Sequence, residues 1–133
     1  MASPRAREAP LQRLDETMVH VFSADELSAT LRGEPEYQSN RHTGITLMKT
    51  DELRIVLAAA DAGATLESHV VRGPATIFVI EGRLEIETQD RAYEAGRGDL
   101  VMLPRGETRR IVCPDQSTFL LALSPSASAA PTT

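Results

Sequence analysis

The chain has one cysteine, Cys113, in 133 residues. No intrachain disulfide can form, and a reducing compartment, the cytoplasm, is the expected setting. A basic excess is also missing. Against 14 Lys and Arg stand 19 Asp and Glu, a net charge of −5. No stripe of cations stands out, which argues against a nucleic-acid backbone as partner. Behind Met1, Ala2, Ser3, Pro4 and Arg5 there is no apolar core of a signal peptide. No apolar run approaches the roughly 20 residues of a membrane-spanning helix, so no membrane partner is expected. What remains is a soluble chain with 41% hydrophobic residues, long enough for one core and short for two.

Residues 1–14 are polar, with Pro4 and Pro10, and read as a flexible arm. Residues 125–133 hold no bulky apolar side chain, so burial there cannot offset the entropy of ordering; a disordered tail is expected. Residues 15–124 form the domain. Residues 17–22 fit a short edge strand. Ser23 with Glu26 three positions on has the spacing of a capping box, and Phe22 and Leu27 occupy the positions of a hydrophobic staple. Leu27 and Leu31 share one face, and Gly33 and Pro35 end the segment. A helix of two or three turns is expected.

From His42 onward the helical period is gone. Short alternating stretches follow at 43–49, 53–59, 76–81, 84–88, 92–95, 100–103, 109–112 and 118–123, divided by turns that contain Gly, Pro or Asp. The pattern predicts an all-β antiparallel sandwich or barrel, with almost no helix beyond residue 40.

Within it, residues 63–82 read G-A-T-L-E-S-H-V-V-R-G-P-A-T-I-F-V-I-E-G, and residues 98–109 read G-D-L-V-M-L-P-R-G-E-T-R. The first stretch resembles the first cupin motif: Gly, five residues, His-x-His, three or four residues, Glu, six residues, Gly. The second resembles the second motif: Gly, five residues, Pro-x-Gly, two residues, His. The glycine and proline frame is complete in both, and the short gap at 83–97 is that of small bacterial single-domain cupins. The resemblance covers about 45–123 and implies a cupin double-stranded β-helix, a jelly-roll barrel, with a short N-terminal helix and commonly a homodimer, for which the strand at 17–22 is a candidate for exchange.

The resemblance also assigns chemistry. In metal-binding cupins two His and a Glu from the first motif and one His from the second hold the ion. Here His69 matches the first His, Val71 stands at the second, Ala75 at the Glu and Arg109 at the last His. One ligand position of four is retained, whereas zinc sites normally have three or four protein ligands. A guanidinium stays charged at working pH. At 4 Å and an effective dielectric of 20, each unit charge on an ion would meet it with about 4 kcal/mol of repulsion. No metal cofactor is expected.

Alternation then places His69, Val71, Ile77, Val79, Arg109, Ile111 and Cys113 around a pocket, with Tyr93, Met102, Leu84 and Ile86 further in. An apolar cavity with one fixed cation and an imidazole suits a small molecule with an apolar body and an acid group. Blander readings stand beside this one. Arg109 and Arg110 could face solvent or pair with Glu67 or Glu107, His69 could be a hydrogen-bonded remnant of the fold, and His42 reads as surface. Cys113 reads as a small buried residue, with no nucleophilic role. Three functions compete: a non-catalytic small-molecule binding or sensory module; a metal-free isomerase or epimerase with His69 and Tyr93 or Glu67 as acid–base pair; and a metal-dependent dioxygenase recruiting His42 or His20. The loss of three ligand positions ranks the first ahead, and no catalytic residue is assigned.

Overall fold

The structure, a computed structural model, describes residues 7–8, 18–66, 74–89, 91–104 and 108–124, with backbone alone at 7, 8, 108 and 109. Ser23 caps helix α1, Ala24–Arg32: its Oγ accepts the Glu26 N–H at 3.1 Å, the spacing read from the sequence. Leu31 is buried, and Phe22 and Leu27 pack against the same apolar cluster. Pro35, expected to stop the helix, instead opens a second one. Glu34 is extended, as the residue before a proline prefers, and Pro35 is the first residue of α2, Pro35–Asn40, where its missing N–H costs nothing. Arg41 closes α2 in the left-handed region, φ 69°.

The expected edge strand at 17–22 does not form within its described part. Residues 18–22 have no sheet partner, and Val19 and Val21 are each 91% exposed. That sheet edge is occupied by β1, Arg7–Glu8, which lies parallel to the next strand with Arg7 opposite Ile45. The pairing falls inside the stretch expected to be a flexible arm. Apolar alternation makes a strand only where a free edge can accept its backbone groups.

The remaining strands follow the predicted rhythm: β2 His42–Lys49, β3 Arg54–Ala60, β4 Ala64–Leu66, β5 Ala75–Glu81, β6 Arg83–Thr88, β7 Ala92–Gly96, β8 Leu100–Leu103, β9 Thr108–Cys113 and β10 Ser117–Leu123. The short β4 was not anticipated. Among the described residues one sheet runs β1-β2-β3-β10-β5-β8 and the other β4-β9-β6-β7. Every pairing apart from that of β1 is antiparallel.

Strand alternation gives each sheet an inner and an outer face. Ala58, Ala60, Ile77, Val79, Phe119, Leu84, Ile86, Ile111 and Cys113 point inward and form one cluster between the sheets. On the outer face of the six-stranded sheet, Ile45, Leu47, Leu57 and Ala59 are covered by Leu31 and Tyr37 of the helices. The β5–β8 half of that face stays open, with Phe78, Leu100 and Met102 exposed.

One end of the barrel is closed by tight turns. Gly82 turns with φ +87° between β5 and β6, directly against the start of β10. There the buried Ser117 Oγ accepts the Arg83 N–H at 3.1 Å. The opposite end holds the β2–β3 turn, the start of β5, the end of β8 and the end of β10.

Candidate functional site

The register defines a row across the inner face of the larger sheet at its open end. Arg54 lies opposite Leu123, Leu123 opposite Ala75, and Ala75 opposite Leu103. With strands ~4.8 Å apart, the row spans roughly 14 Å. Leu123, Ala75 and Leu103 are buried. On the facing sheet, Leu66 pairs with Ile111, and β9 begins toward the open end, with a register irregularity between its Arg110 and Thr108 pairings. Arg110 Nε donates to Glu87 Oε1 at 2.6 Å on the outer side.

The sequence-predicted pocket residues divide into groups. His69 and Val71 lie outside the described residues, as does the side chain of Arg109; so do Glu67 and Glu107. Ile77, Val79 and Ile111 are packed among Phe119, Leu84 and Ile86, in the core beneath the row. Tyr93 and Met102 are not further in, as the alternation implied. They are 46% and 66% exposed because β7 and β8 are the edge strands of their sheets, and Met102 falls on the outer face beside Thr76. Leu84 and Ile86, placed beside them from the sequence, are fully buried.

Tyr93 and Met102 do share a cleft. It opens between β7 and β8, also lined by Thr88, Ala95, Val101 and Leu103, with a volume of about 490 Å³. That is within the range of small-molecule pockets. The Arg91 guanidinium lies 5.4 Å from the centre of the Tyr93 ring.

Arg54 is the residue that sequence reasoning missed. It was passed over because Leu53, Ile55, Leu57 and Ala59 carried the alternation, and that apolar set proves to be the outer face. Arg54 shares the other parity with Val56, Ala58 and Ala60. Its Nη2 reaches Thr46 Oγ1 at 3.4 Å, a long hydrogen bond, and its Nε is buried with no partner.

A cupin-type metal does not fit the described donor set. Ala75, at the position of the motif's carboxylate, is buried on the inner face and offers no donor atom. Among the described residues no three His, Cys, Asp or Glu are grouped to hold an ion. His42 is half-buried at the start of β2 and pairs with Ala60, at the end of β3 away from the row. Burial holds its pKa below the usual imidazole value.

Cys113 is fully buried in the core, and burial pushes its thiol up to about 12. The native state therefore keeps the thiol proton after the unfolded chain, titrating near the ordinary value of about 8.5, has lost it. Stability is complete below that value and falls as pH rises toward 12, by up to about 1.4 kcal/mol per pH unit. Urea melts from pH 8 to 11 should show this slope, and a Cys113→Ala variant should show less of it. Equal slopes in the two proteins would refute the assignment.

Two β-sheets closed face to face on one apolar interior, with strands crossing between them, make this a small double-stranded β-helix barrel. The Cupin domain family model matches residues 55–123, just over half of the chain, and the chain belongs to that family. No curated protein matches the sequence. Among solved structures it is similar to an uncharacterised conserved protein with a double-stranded β-helix domain from Klebsiella pneumoniae, at 21% identity and a TM-score of 0.67, covering 84% of this chain and 95% of that one. A cupin superfamily protein of Desulfitobacterium hafniense is similar at 16% identity and a TM-score of 0.63, covering 74% and 86%. An RmlC-like cupin from Shewanella frigidimarina follows at 23% and 0.59, covering 65% and 78%. These are likenesses of fold. No helix among the described residues is long and apolar enough to cross a membrane.

Proposed function

We propose that this cupin is a metal-independent binding or sensory module for a small molecule with an apolar body and an acid group, and that it turns nothing over. The observation that carries the reading is Ala75, a buried methyl group at the family's carboxylate position, flanked in register by Leu103 and Leu123. An apolar row at the open end favours a hydrocarbon surface over a hydrated ion. The sequence adds Val71 and Arg109 at two further ligand positions. The fixed charge of arginine disfavours a cation and favours an anion.

Elemental analysis of protein purified without added metal is the test. Zinc, iron, nickel and manganese are each expected far below one equivalent. A stoichiometric metal that disappears in a His69→Ala variant would overturn the reading and restore the metal-dependent alternative.

A further inference from the structure

We propose that Arg54 is the residue that receives the acid group, and that the ligand it selects is a monocarboxylate with an aliphatic or aromatic body. The inference rests on reading the open end of the barrel as a site for an acidic small molecule. A guanidinium carries five N–H donors, and buried donors in folded proteins nearly always find acceptors. The other paired arginines make shorter bonds, although Arg32 Nε is likewise buried without a partner. Arg32 donates to Ser117 O at 2.8 Å, Arg41 to Ala62 O at 2.6 Å, Arg83 to Glu94 Oε2 at 2.7 Å and Arg110 to Glu87 Oε1 at 2.6 Å.

Arg54 has the Thr46 hydroxyl at 3.4 Å, and its Nε is buried without a partner. Asp51 and Glu52, in the turn that joins β2 to β3, are exposed and form no ion pair with it. Lys49, opposite Arg54 in register, adds a second positive charge at the same strand end. The neighbouring inner positions on β3 and β10 are Val56, Leu121 and Leu123. A guanidinium with an unsatisfied Nε and only a long hydrogen bond from Nη2, together with one flanking cation and aliphatic walls, matches a carboxylate on a hydrocarbon. A phosphate dianion would call for more donors than the described surface supplies.

The test is titration of ¹⁵N-labelled protein with hexanoate, with hexanamide and with inorganic phosphate, following the arginine Nε–H signals. Hexanoate is expected to shift the Arg54 signal saturably, hexanamide to leave it in place, and phosphate to act more weakly than hexanoate. Arg54→Gln and Arg54→Lys should each weaken hexanoate binding about tenfold or more, the lysine keeping charge but losing the fork. Should Arg54→Gln not fold, Arg54→Lys decides. Undiminished binding in the Arg54 variants with loss in Arg109→Ala overturns the assignment to Arg54 and leaves the acidic-ligand reading standing. Undiminished binding in all three variants, or no saturable shift with hexanoate or benzoate up to about 10 mM, overturns both.

Discussion

Gly82→Ala is expected to destabilise the barrel by at least about 3 kcal/mol, while Gly98→Ala costs only about 1–2 kcal/mol. The two glycines have nearly the same backbone, φ +87° and φ +86°. A methyl group at either must bear the left-handed penalty, so that term cancels in the comparison. The surroundings differ. At Gly98 a Cβ meets nothing within 4 Å. At Gly82 it would overlap the Gln116 carbonyl oxygen and the Ser117 Oγ, and would lie 2.7 Å from Ser117 Cα. Those atoms cannot yield cheaply. Ser117 is buried, pairs with Ala60 of β3, and is tied by its Oγ to both the N–H and the carbonyl of Arg83. Moving it would pull the first residue of β10 out of the sheet. Urea unfolding of the two variants gives the comparison directly; equal losses would mean that the close approach at Gly82 is not real.

Phe119→Ala is expected to cost about 3–5 kcal/mol, a large part of the roughly 5–15 kcal/mol that holds a domain of this size folded. Phe119 has no exposed surface. It projects from β10, flanked in the sheet by β3 and β5, with Ala58 on one side and Val79 on the other. Much of the inner lining is small: Ala58, Ala60, Ala64, Ala75 and Ala95 all belong to the same cluster. The ring is therefore the large piece around which small residues are fitted. Backbone-fixed alanines cannot close over the space left by its removal, which puts the cost toward the cavity-forming end of the range. Phe119→Leu, which keeps most of the volume, should cost less than about 2 kcal/mol. Thermal melts should place the alanine variant about 10–20 °C below the parent. A drop of only a few degrees would show that the interior collapses around the vacancy.

Much of the fold was legible because its signals are local. Ser23 and Glu26 fix the start of α1 through one side-chain-to-backbone bond that depends on nothing distant. Gly82 and Gly98 mark corners because positive φ is a property of one residue. Strand after strand appeared within a residue or two of its alternating stretch, since the period of two is built into the extended backbone. Pro35 misled because a proline is equally at home just after one helix and at the first position of the next; which of the two occurs is decided by whether Tyr37 has something to bury against, and here it has the outer face of the larger sheet.

By itself, then, the sequence determined an antiparallel barrel of cupin type and the glycine frame of its turns. Only the tertiary structure decided which face of each strand is inside. Alternation divides a strand into two sets but is silent on which set meets the core. On β3 both sets are largely apolar, so Ile55, Leu57 and Ala59 gave no hint that they lie under the helices and that Arg54 stands on the barrel's inner face. On β8 the same silence left Met102 expected inside, and the pairing of Thr76 with Met102 puts it outside. Edge or centre is likewise a property of the assembled sheet. It leaves Tyr93 half in solvent on β7 and gives the edge beside β2 to Arg7 and Glu8, while Val19 and Val21 pair with nothing described.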